Sequence, residues 1–550
     1  MRDFDVVVLG SGAAALTAAI TAHEGGARVA IFEKADKVGG TSAWSGGQIW
    51  IPNHNRQAPD RSDSREEALT YLAALSHGMI DPAMAETYVD TGPLMVDFLE
   101  ERTPAKFYAI PYLPDYHSEF PGAKREGGRT LECPPFSYQE LGAWAERVQR
   151  SPYYPDATMT VGETTLGQPV PAPASPEVKA RRRERDERGM GAALIGRLLK
   201  GCLDRGIEPR TDMRAVELIM RDSAVAGIRF EDGSIVHAAN VVVATGGFEW
   251  DKSLVRAFTR GPMTHPVSIK TNTGDGLRMA MRVGAMLGNM REAWWMPVIE
   301  VPTDLNEAGM QLFTYERTMP GGLMVNAKGR RFTNEASNYN AFGAAFHEQD
   351  VTAFQYANLP CWLIFNADFY SRYPFLVGGL TDHFDEGARP PQWVPSGDTL
   401  RTLADRVGID ADGLEASVAR FNANASEGRD PDFHRGEAAN DIWWGDPSHR
   451  GSPRATLGPL GDGPYYAVEV KSGALGTKGG PQTDTRARVL DVDGNIIPGL
   501  YCAGNAMASP MGMTYGGAGG TLGPAMVFGY LAGQDIGEKL RQTSPVAAEG

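Results

Sequence analysis

Cysteine is scarce: Cys133, Cys202, Cys361 and Cys502 lie far apart in 550 residues, and no Cys-x-x-Cys pair occurs. That spacing excludes a zinc ribbon or a cysteine-ligated cluster, so no metal site is expected, and it suits a reducing compartment. Long apolar runs are missing too; none approaches the roughly 18 residues of a spanning helix. Strand-like sequence from Phe4 argues against a signal peptide, and a cytoplasmic protein with no membrane span is expected. Positive charge is in deficit: 53 Lys and Arg face 68 Asp and Glu, a net −15. A phosphate backbone or an anionic membrane surface needs a basic face, so nucleic acid is not an expected partner. The run Arg181 to Arg188 mixes both signs and reads as a solvated helical face. At 42% hydrophobic and 22% charged, the chain has a globular composition. Its length implies two or three folding units.

Glycine is plentiful, and it is concentrated in motifs. Residues 4–9 form a short β-branched run that reads as a buried parallel strand. It leads into Gly10, Ser11, Gly12, Ala13, Ala14 and Ala15, then an alanine-rich helix to about His23. A second strand, residues 28–32, ends on Glu33. This is the strand–GxGxxA–helix–strand–acid unit of a dinucleotide fold. Gly10 permits the turn, Gly12 admits a pyrophosphate, and Ala15 lets helix and strand pack closely. The helix N-terminus faces the phosphate charge, and Glu33 is placed to accept from a ribose.

A second glycine-rich stretch, residues 511–526, gathers Gly512, Gly516, Gly517, Gly519, Gly520 and Gly523 around Tyr515. Glycines at that density let backbone N–H groups approach a flat ligand, and a phenol beside free amides is an uncharged hydrogen-bonding pocket. A flexible linker is the bland alternative. The strand-like residues before it and the helix-like 525–536 after it favour a ligand-facing loop.

Between them, residues 104–189 look irregular, with a stiff proline-rich connector at 168–176. Tyr116, in Pro114-Asp115-Tyr116-His117, reads by itself as a packing residue. An amphipathic helix over 194–202 precedes strands at 215–219 and 225–230, with an Asp232-Gly233 hairpin turn. A buried strand ends on Ala244, Thr245 and Gly246, and Asn272 to Gly276 reads as a capping turn. From Trp294 the composition becomes aromatic.

After Glu33 and Lys34 come Gly39-Gly40-Thr41-Ser42 and Ser45-Gly46-Gly47, which resemble the flavoproteins of the succinate dehydrogenase and fumarate reductase type. Residues 194–199, 433–437, 463–467, 475–480, 499–505 and 522–526 narrow the resemblance to the 3-ketosteroid Δ1-dehydrogenases. Those enzymes remove hydrogen from C1 and C2 of a 3-ketosteroid onto FAD. The resemblance implies an α/β fold: a Rossmann-like FAD-binding domain (GR2-type) in two parts, 1–292 and 455–550. An inserted α+β substrate-capping catalytic domain would occupy 293–454. FAD contacts are implied for Gly10, Ser11, Gly12, Ala13, Ala14, Ala15, Glu33, Lys34, Gly40, Thr41, Ser42, Ser45, Gly46 and Gly47. They are implied also for Val216, Ala244, Thr245, Gly246, Gly504, Asn505, Gly520 and Leu522, with Gly520 to Gly523 facing the flavin ring. Tyr515 and the Gly519 N–H would bind the ketone oxygen, Tyr339 would take the α-proton, and Tyr116 would assist it. With no haem motif or iron–sulfur spacing, an external electron acceptor such as a quinone is implied.

One departure stands out. The family commonly has Tyr-Pro-Gly-Pro-Gly where this chain has Tyr515-Gly516-Gly517-Ala518-Gly519. Without its prolines the loop is less preorganised. A smaller cyclic ketone, of the cyclohexanone or cyclohexanone-carboxylate kind, therefore stays open beside the steroid 1,2-reaction, as does 4,5-dehydrogenation of a 3-ketosteroid, which uses similar phenols. A fumarate-type enoate reductase needs cations for carboxylates; residues 503–536 contain no Arg, Lys or His. Arg317 and Arg331 are expected to pair with Glu316 and Glu335. A non-enzymatic flavin carrier would have no need of the phenols.

Overall fold

Val6, Val7 and Val8 have no exposed surface, as a parallel strand covered on both faces requires. The computed structural model describes residues 3–57, 61–154, 158–170, 174–375 and 387–543. In it Phe4–Leu9 lies between Val29–Phe32 and Ile235–Val243, and Ile496–Cys502 follows on the far side. These strands run parallel, with Val8 opposite both Ile31 and Val242, and Val242 opposite Tyr501. Arg488–Leu490 closes the edge antiparallel. Ala215–Arg221 and Ala224–Phe230 form the expected antiparallel meander into Ile235–Val243. On this sheet the helix Ala13–Glu24 meets the C-terminal helix Leu522–Thr543 backbone to backbone. A Cβ on Gly529 would stand 2.4 Å from the Ala14 carbonyl oxygen.

The second sheet runs in the order Met310–Leu312, Ala293–Glu300, Tyr465–Thr477, Cys361–Asn366, Leu323–Asn326, antiparallel along this path. Strand alternation sends Cys361, Leu363 and Phe365 into an aromatic core with Phe342 and Phe369. It sends Trp362 and Ile364 to the other face, against Leu403, Leu414 and Phe421 of the helices Leu400–Val407 and Ala411–Ser426. Ala293–Glu300 ties the layers together. Its Trp294, Met296 and Val298 belong to the core of the first unit, while Trp295 turns the opposite way.

Tyr465–Thr477 was expected in the second FAD-binding part. Its 13 residues pair with both Ala293–Glu300 and Cys361–Asn366, and the next strand of the first sheet is Arg488–Leu490. The region 104–189 is less irregular than it reads: Tyr108–Ala109 and Ile49–Trp50 flank Thr130–Glu132. The mixed-charge run is not one helical face either. Helix Pro176–Glu184 ends inside it, and Glu187–Arg188 pairs with Phe136–Ser137. Residues 171–173 of the proline-rich connector lie outside the described residues. Among the described residues, no helix is long and apolar enough to cross a membrane.

Candidate active site

A cavity opens at the carboxyl ends of Phe4–Leu9, Val29–Phe32 and Ile235–Val243, where open parallel sheets hold ligands. Gly10, Ser11, Gly12, Ala13, Ala14, Glu33, Lys34, Gly40, Thr41, Ser42, Ala244, Thr245 and Gly246 line this end. Gly10 has φ +104°, and a Cβ there would stand 2.3 Å from the Ala244 carbonyl oxygen. Helix Ala13–Glu24 starts at Gly12, which has no side chain to cap it; the Ala13 amide donates to Ser42 Oγ at 3.2 Å, and the positive end of the helix favours an anion beside it. Glu33 is buried and accepts from the Ser11 hydroxyl at 2.7 Å and the Ala35 amide at 2.9 Å. Burial pushes its carboxyl pKa up, against those hydrogen bonds. Lys34 Nζ reaches Thr273 Oγ1 and Asp275, each at 2.7 Å. Backbone donors for a pyrophosphate and a carboxylate for ribose hydroxyls fit an adenine dinucleotide. Ser45, Gly46, Gly47, Gly504, Asn505 and Leu522 line the same cavity.

Three phenols converge elsewhere in this cavity. Ring centroids are 5.3 Å apart for Tyr116 and Tyr339, 5.2 Å for Tyr116 and Tyr515, and 5.5 Å for Tyr339 and Tyr515. The Tyr116 and Tyr339 hydroxyl oxygens are 3.0 Å apart. Thr521 Oγ1 lies 3.1 Å from the Tyr515 hydroxyl, and Gly519 lines the wall beside them. Burial holds the pKa of Tyr116 and Tyr339 well above the ordinary value and raises that of Tyr515, against hydrogen bonds from Thr521 and the Gly519 amide. Among the described residues, the charged side chains on the cavity wall are Glu33, Lys34 and Asp275, all at the dinucleotide end. The phenol end therefore offers neutral donors and, on deprotonation, one oxygen base.

Each phenol is set by a different element. Tyr339 opens the turn Tyr339–Ala341, capped by Asn338, whose side chain accepts from Ala341 N at 3.2 Å and faces His117 Nε2 at 3.2 Å. The Tyr116 amide and the Tyr71 hydroxyl both donate to the Gly516 oxygen, at 2.9 and 2.8 Å. Around Tyr515, Cβ atoms on Gly516 and Gly517 would stand 2.9 and 2.5 Å from the Trp50 indole. The flat group those two glycines admit is thus Trp50, not a ligand. Gly519 has φ +94°, and a Cβ would stand 2.6 Å from the Gln48 backbone. Trp50 Nε1 donates to Asp115 at 2.8 Å, and Arg129 bridges Asp115 at 2.8 Å to Asp63 at 2.7 Å, with all three side chains nearly or fully buried. That ion triad fixes the residue next to Tyr116.

Tyr116, Tyr339, Tyr515 and Gly519 are brought together, and most of the residues expected at the cofactor line the cavity; Ala15, Val216 and Gly520 do not. Ala15 is fully buried in the first core. Val216 lies on the wrong face of its strand: Met213 and Ala215 line the cavity, while the Val216 carbonyl accepts from Arg282 at 2.8 Å. Gly520 backs onto the Tyr515 ring, where a Cβ would stand 2.8 Å away, and Gly523 backs onto Trp50 and Tyr88, so neither is on the cavity wall. Arg331 pairs with Glu335 at 2.6 Å and Asp430 at 2.8 Å. Arg317 instead donates to backbone carbonyls of Phe313, Glu335 and Ser337, and burial pushes its pKa down to about 9. Sequence reasoning missed Thr521, Trp50, Trp294 and the Asp63–Arg129–Asp115 triad. Only Thr521, set between two residues already singled out, carried a local signal.

The profile of the FAD binding domain family matches residues 5–522. The chain is 40% identical to the 4-oxocyclohexanecarboxylate 2-dehydrogenase of Sinomonas cyclohexanicum, over 97% of this chain and 92% of that protein. It is 38% identical to the 3-oxosteroid 1-dehydrogenase of Mycobacterium tuberculosis, over 98% and 99%. The crystal structure of 3-ketosteroid delta1-dehydrogenase from Sterolibacterium denitrificans, in complex with 1,4-androstadiene-3,17-dione, superposes with a TM-score of 0.89. Its identity is 36%, covering 98% of this chain and 99% of that one.

Proposed function

The chain belongs to the FAD binding domain family and, within it, to the 3-ketosteroid Δ1-dehydrogenase-type flavoproteins, and from that membership we propose that it carries out 1,2-dehydrogenation of a 3-ketosteroid. It is an FAD-dependent oxidoreductase that introduces a C=C bond beside a ring ketone. The observation that carries the site assignment is the meeting of Tyr116, Tyr339, Tyr515 and Gly519 at a wall with no charged side chain among the described residues.

In this reading Tyr515 and the Gly519 N–H bind the ketone oxygen, and a hydrogen bond from Thr521 leaves the Tyr515 proton free for the substrate. An α-proton becomes acidic only when the developing enolate is held, and two aimed donors contribute about 3–4 kcal/mol each. Tyr339, as its phenolate, takes that proton; Tyr116 donates across 3.0 Å to hold the phenolate charge beforehand. Bound FAD supplies the two-electron acceptor for the hydrogen of the neighbouring carbon, which leaves as hydride. The electron pair of the enolate then forms the new double bond as the ketone returns. Electrons pass on to an external quinone-like acceptor. Four buried free thiols suit a reducing, cytoplasmic setting.

A steroid-like ketone is favoured by the apolar and aromatic wall, which includes Leu113, Tyr153, Tyr154, Leu166, Leu312 and Trp444. A keto-carboxylate such as the substrate named for the Sinomonas relative needs a cation, and Arg317 and Arg331 are engaged within the protein. Anaerobic titration of the FAD absorbance tests this directly. Bleaching by a 3-ketosteroid with a Δ1 product is expected. Selective bleaching by 4-oxocyclohexanecarboxylate overturns the steroid assignment, a Δ4 product overturns the regiochemistry, and bleaching by neither ketone overturns the function.

A further inference from the structure

The carbonyl oxygens of the loop that carries Tyr515 are taken up one after another by donors from distant segments. Asn289 Nδ2 reaches the Gly512 oxygen at 2.8 Å, and Thr130 Oγ1 reaches the Ala518 oxygen at 3.0 Å. Asn340, next to Tyr339, reaches the Met513 oxygen at 3.2 Å. Lys478 takes two oxygens at once, those of Met513 at 2.9 Å and Thr514 at 2.7 Å. This lysine has no exposed surface, and its Nζ lies 4.1 Å from the centre of the Trp294 indole. Trp294 packs on the Tyr515 ring with centroids 4.9 Å apart and donates to Asn505 at 3.0 Å. Glu292, which attracts the lysine electrostatically, is itself 3.4 Å from Arg260.

The Thr514 carbonyl belongs to the peptide plane that ends at the Tyr515 nitrogen, and the Met513 carbonyl belongs to the plane before it. Holding both oxygens fixes the backbone from which the Tyr515 side chain departs. Asn340 shares the Met513 oxygen, and Tyr116 and Tyr71 hold the Gly516 oxygen on the far side. Lys478 joins the two planes that lead into Tyr515, where Gly512, Gly516, Gly517 and Gly519 leave the chain free and no proline stiffens the loop at 515–519. An ammonium buried away from solvent is costly unless its N–H groups are satisfied, and here two carbonyls and an aromatic face satisfy it.

We propose that Lys478 is a positioning residue of the oxyanion site: by holding the Met513 and Thr514 carbonyls and the face of Trp294, it sets where Tyr515 presents its hydroxyl. The proposal rests on the role assigned to Tyr515 above. The tether is independent of charge, since the neutral amine still has two N–H donors for the two carbonyls. A misplacement of about 1 Å at a reacting centre costs on the order of 100-fold in rate.

The test uses full-length, FAD-loaded protein and single-turnover flavin reduction by a 3-ketosteroid. Lys478→Met is expected to lower kcat by about 10–100-fold with FAD content unchanged and KM moved by less than about threefold. In a Tyr515→Phe background the same substitution is expected to cost less than about threefold, because no hydroxyl remains to be positioned. If Lys478→Met does not fold, Lys478→Gln, which keeps two N–H donors on a shorter stem, is carried through the same cycle with the same expectation of non-additivity. An unchanged kcat in the single variant, or a full multiplicative loss in the double variant, overturns the proposal. A Tyr515→Phe variant that is as fast as wild type overturns instead the oxyanion reading on which it rests.

Discussion

At the dinucleotide end of the cavity, charged side chains are part of the wall: Glu33, Lys34 and Asp275 stand beside the first turn of Ala13–Glu24. At the phenol end the wall carries hydroxyls and a backbone amide and, among the described residues, no charged side chain. The difference follows from when the ligand's charge exists. A pyrophosphate is charged throughout, so permanent dipoles and nearby charges hold it in the ground state. The charge of an enolate appears only as the α-proton leaves. Neutral donors bind the ketone weakly and the developing oxyanion strongly, which lowers the barrier instead of deepening the ground state. A fixed cation in the same place would also admit carboxylates.

The sharpest way to break that contrast is Tyr339→Phe. Removing the base is expected to slow ketone-driven flavin reduction by about 10³–10⁴-fold while FAD stays bound, as stopped-flow absorbance reads. Tyr515→Phe is next, with a loss of about 10²–10³ in kcat/KM; a loss of FAD instead would put this phenol at the wrong end of the cavity. The pH dependence comes third. Burial raises the Tyr339 pKa, and in the proposed mechanism the reactive form is the deprotonated one. The rate should therefore climb about tenfold per pH unit with no plateau below the ordinary tyrosine value of about 10. A profile flat from pH 7 to 9 contradicts a tyrosinate base. Glu33→Gln sharpens the other side of the contrast: FAD should bind about tenfold more weakly, equal to about 1.4 kcal/mol, seen by equilibrium titration of the apoprotein. The smallest effect is expected for Thr521→Val, about fivefold in kcat for the loss of one neutral hydrogen bond of about 1 kcal/mol, with FAD affinity unmoved.

The two glycine-rich segments show how much of this was legible in advance. From Gly10 to Glu33 the chain folds as the strand, turn, helix and acid that the sequence reads, because these are contiguous and each condition can be checked within a few tens of residues. The loop around Tyr515 reads only in part. Its phenol and Gly519 carry a recognisable spacing, but Gly516 and Gly517 answer to Trp50, and Gly520 answers to the ring of Tyr515 itself. Val216 lies off the cavity wall while Met213 and Ala215 line it, because a strand's two faces alternate and which face meets the cavity depends on the sheet beside it. Tyr116 by itself is a packing residue. It joins the site because its amide reaches Gly516 and its hydroxyl reaches Tyr339.

Sequence alone determined the strand–turn–helix–strand–acid unit of the α/β fold, which is written in short-range periodicity and a motif with local spacing; the reaction class came with the resemblance to the 3-ketosteroid Δ1-dehydrogenases. Tertiary structure alone decided that Tyr465–Thr477 completes the capping sheet, that Arg129 buries two carboxylates behind Tyr116, and that Lys478 holds the backbone beside Tyr515. These depend on partners far apart in the chain, and the free energy of a buried polar group is set by which partner it meets, not by its own identity.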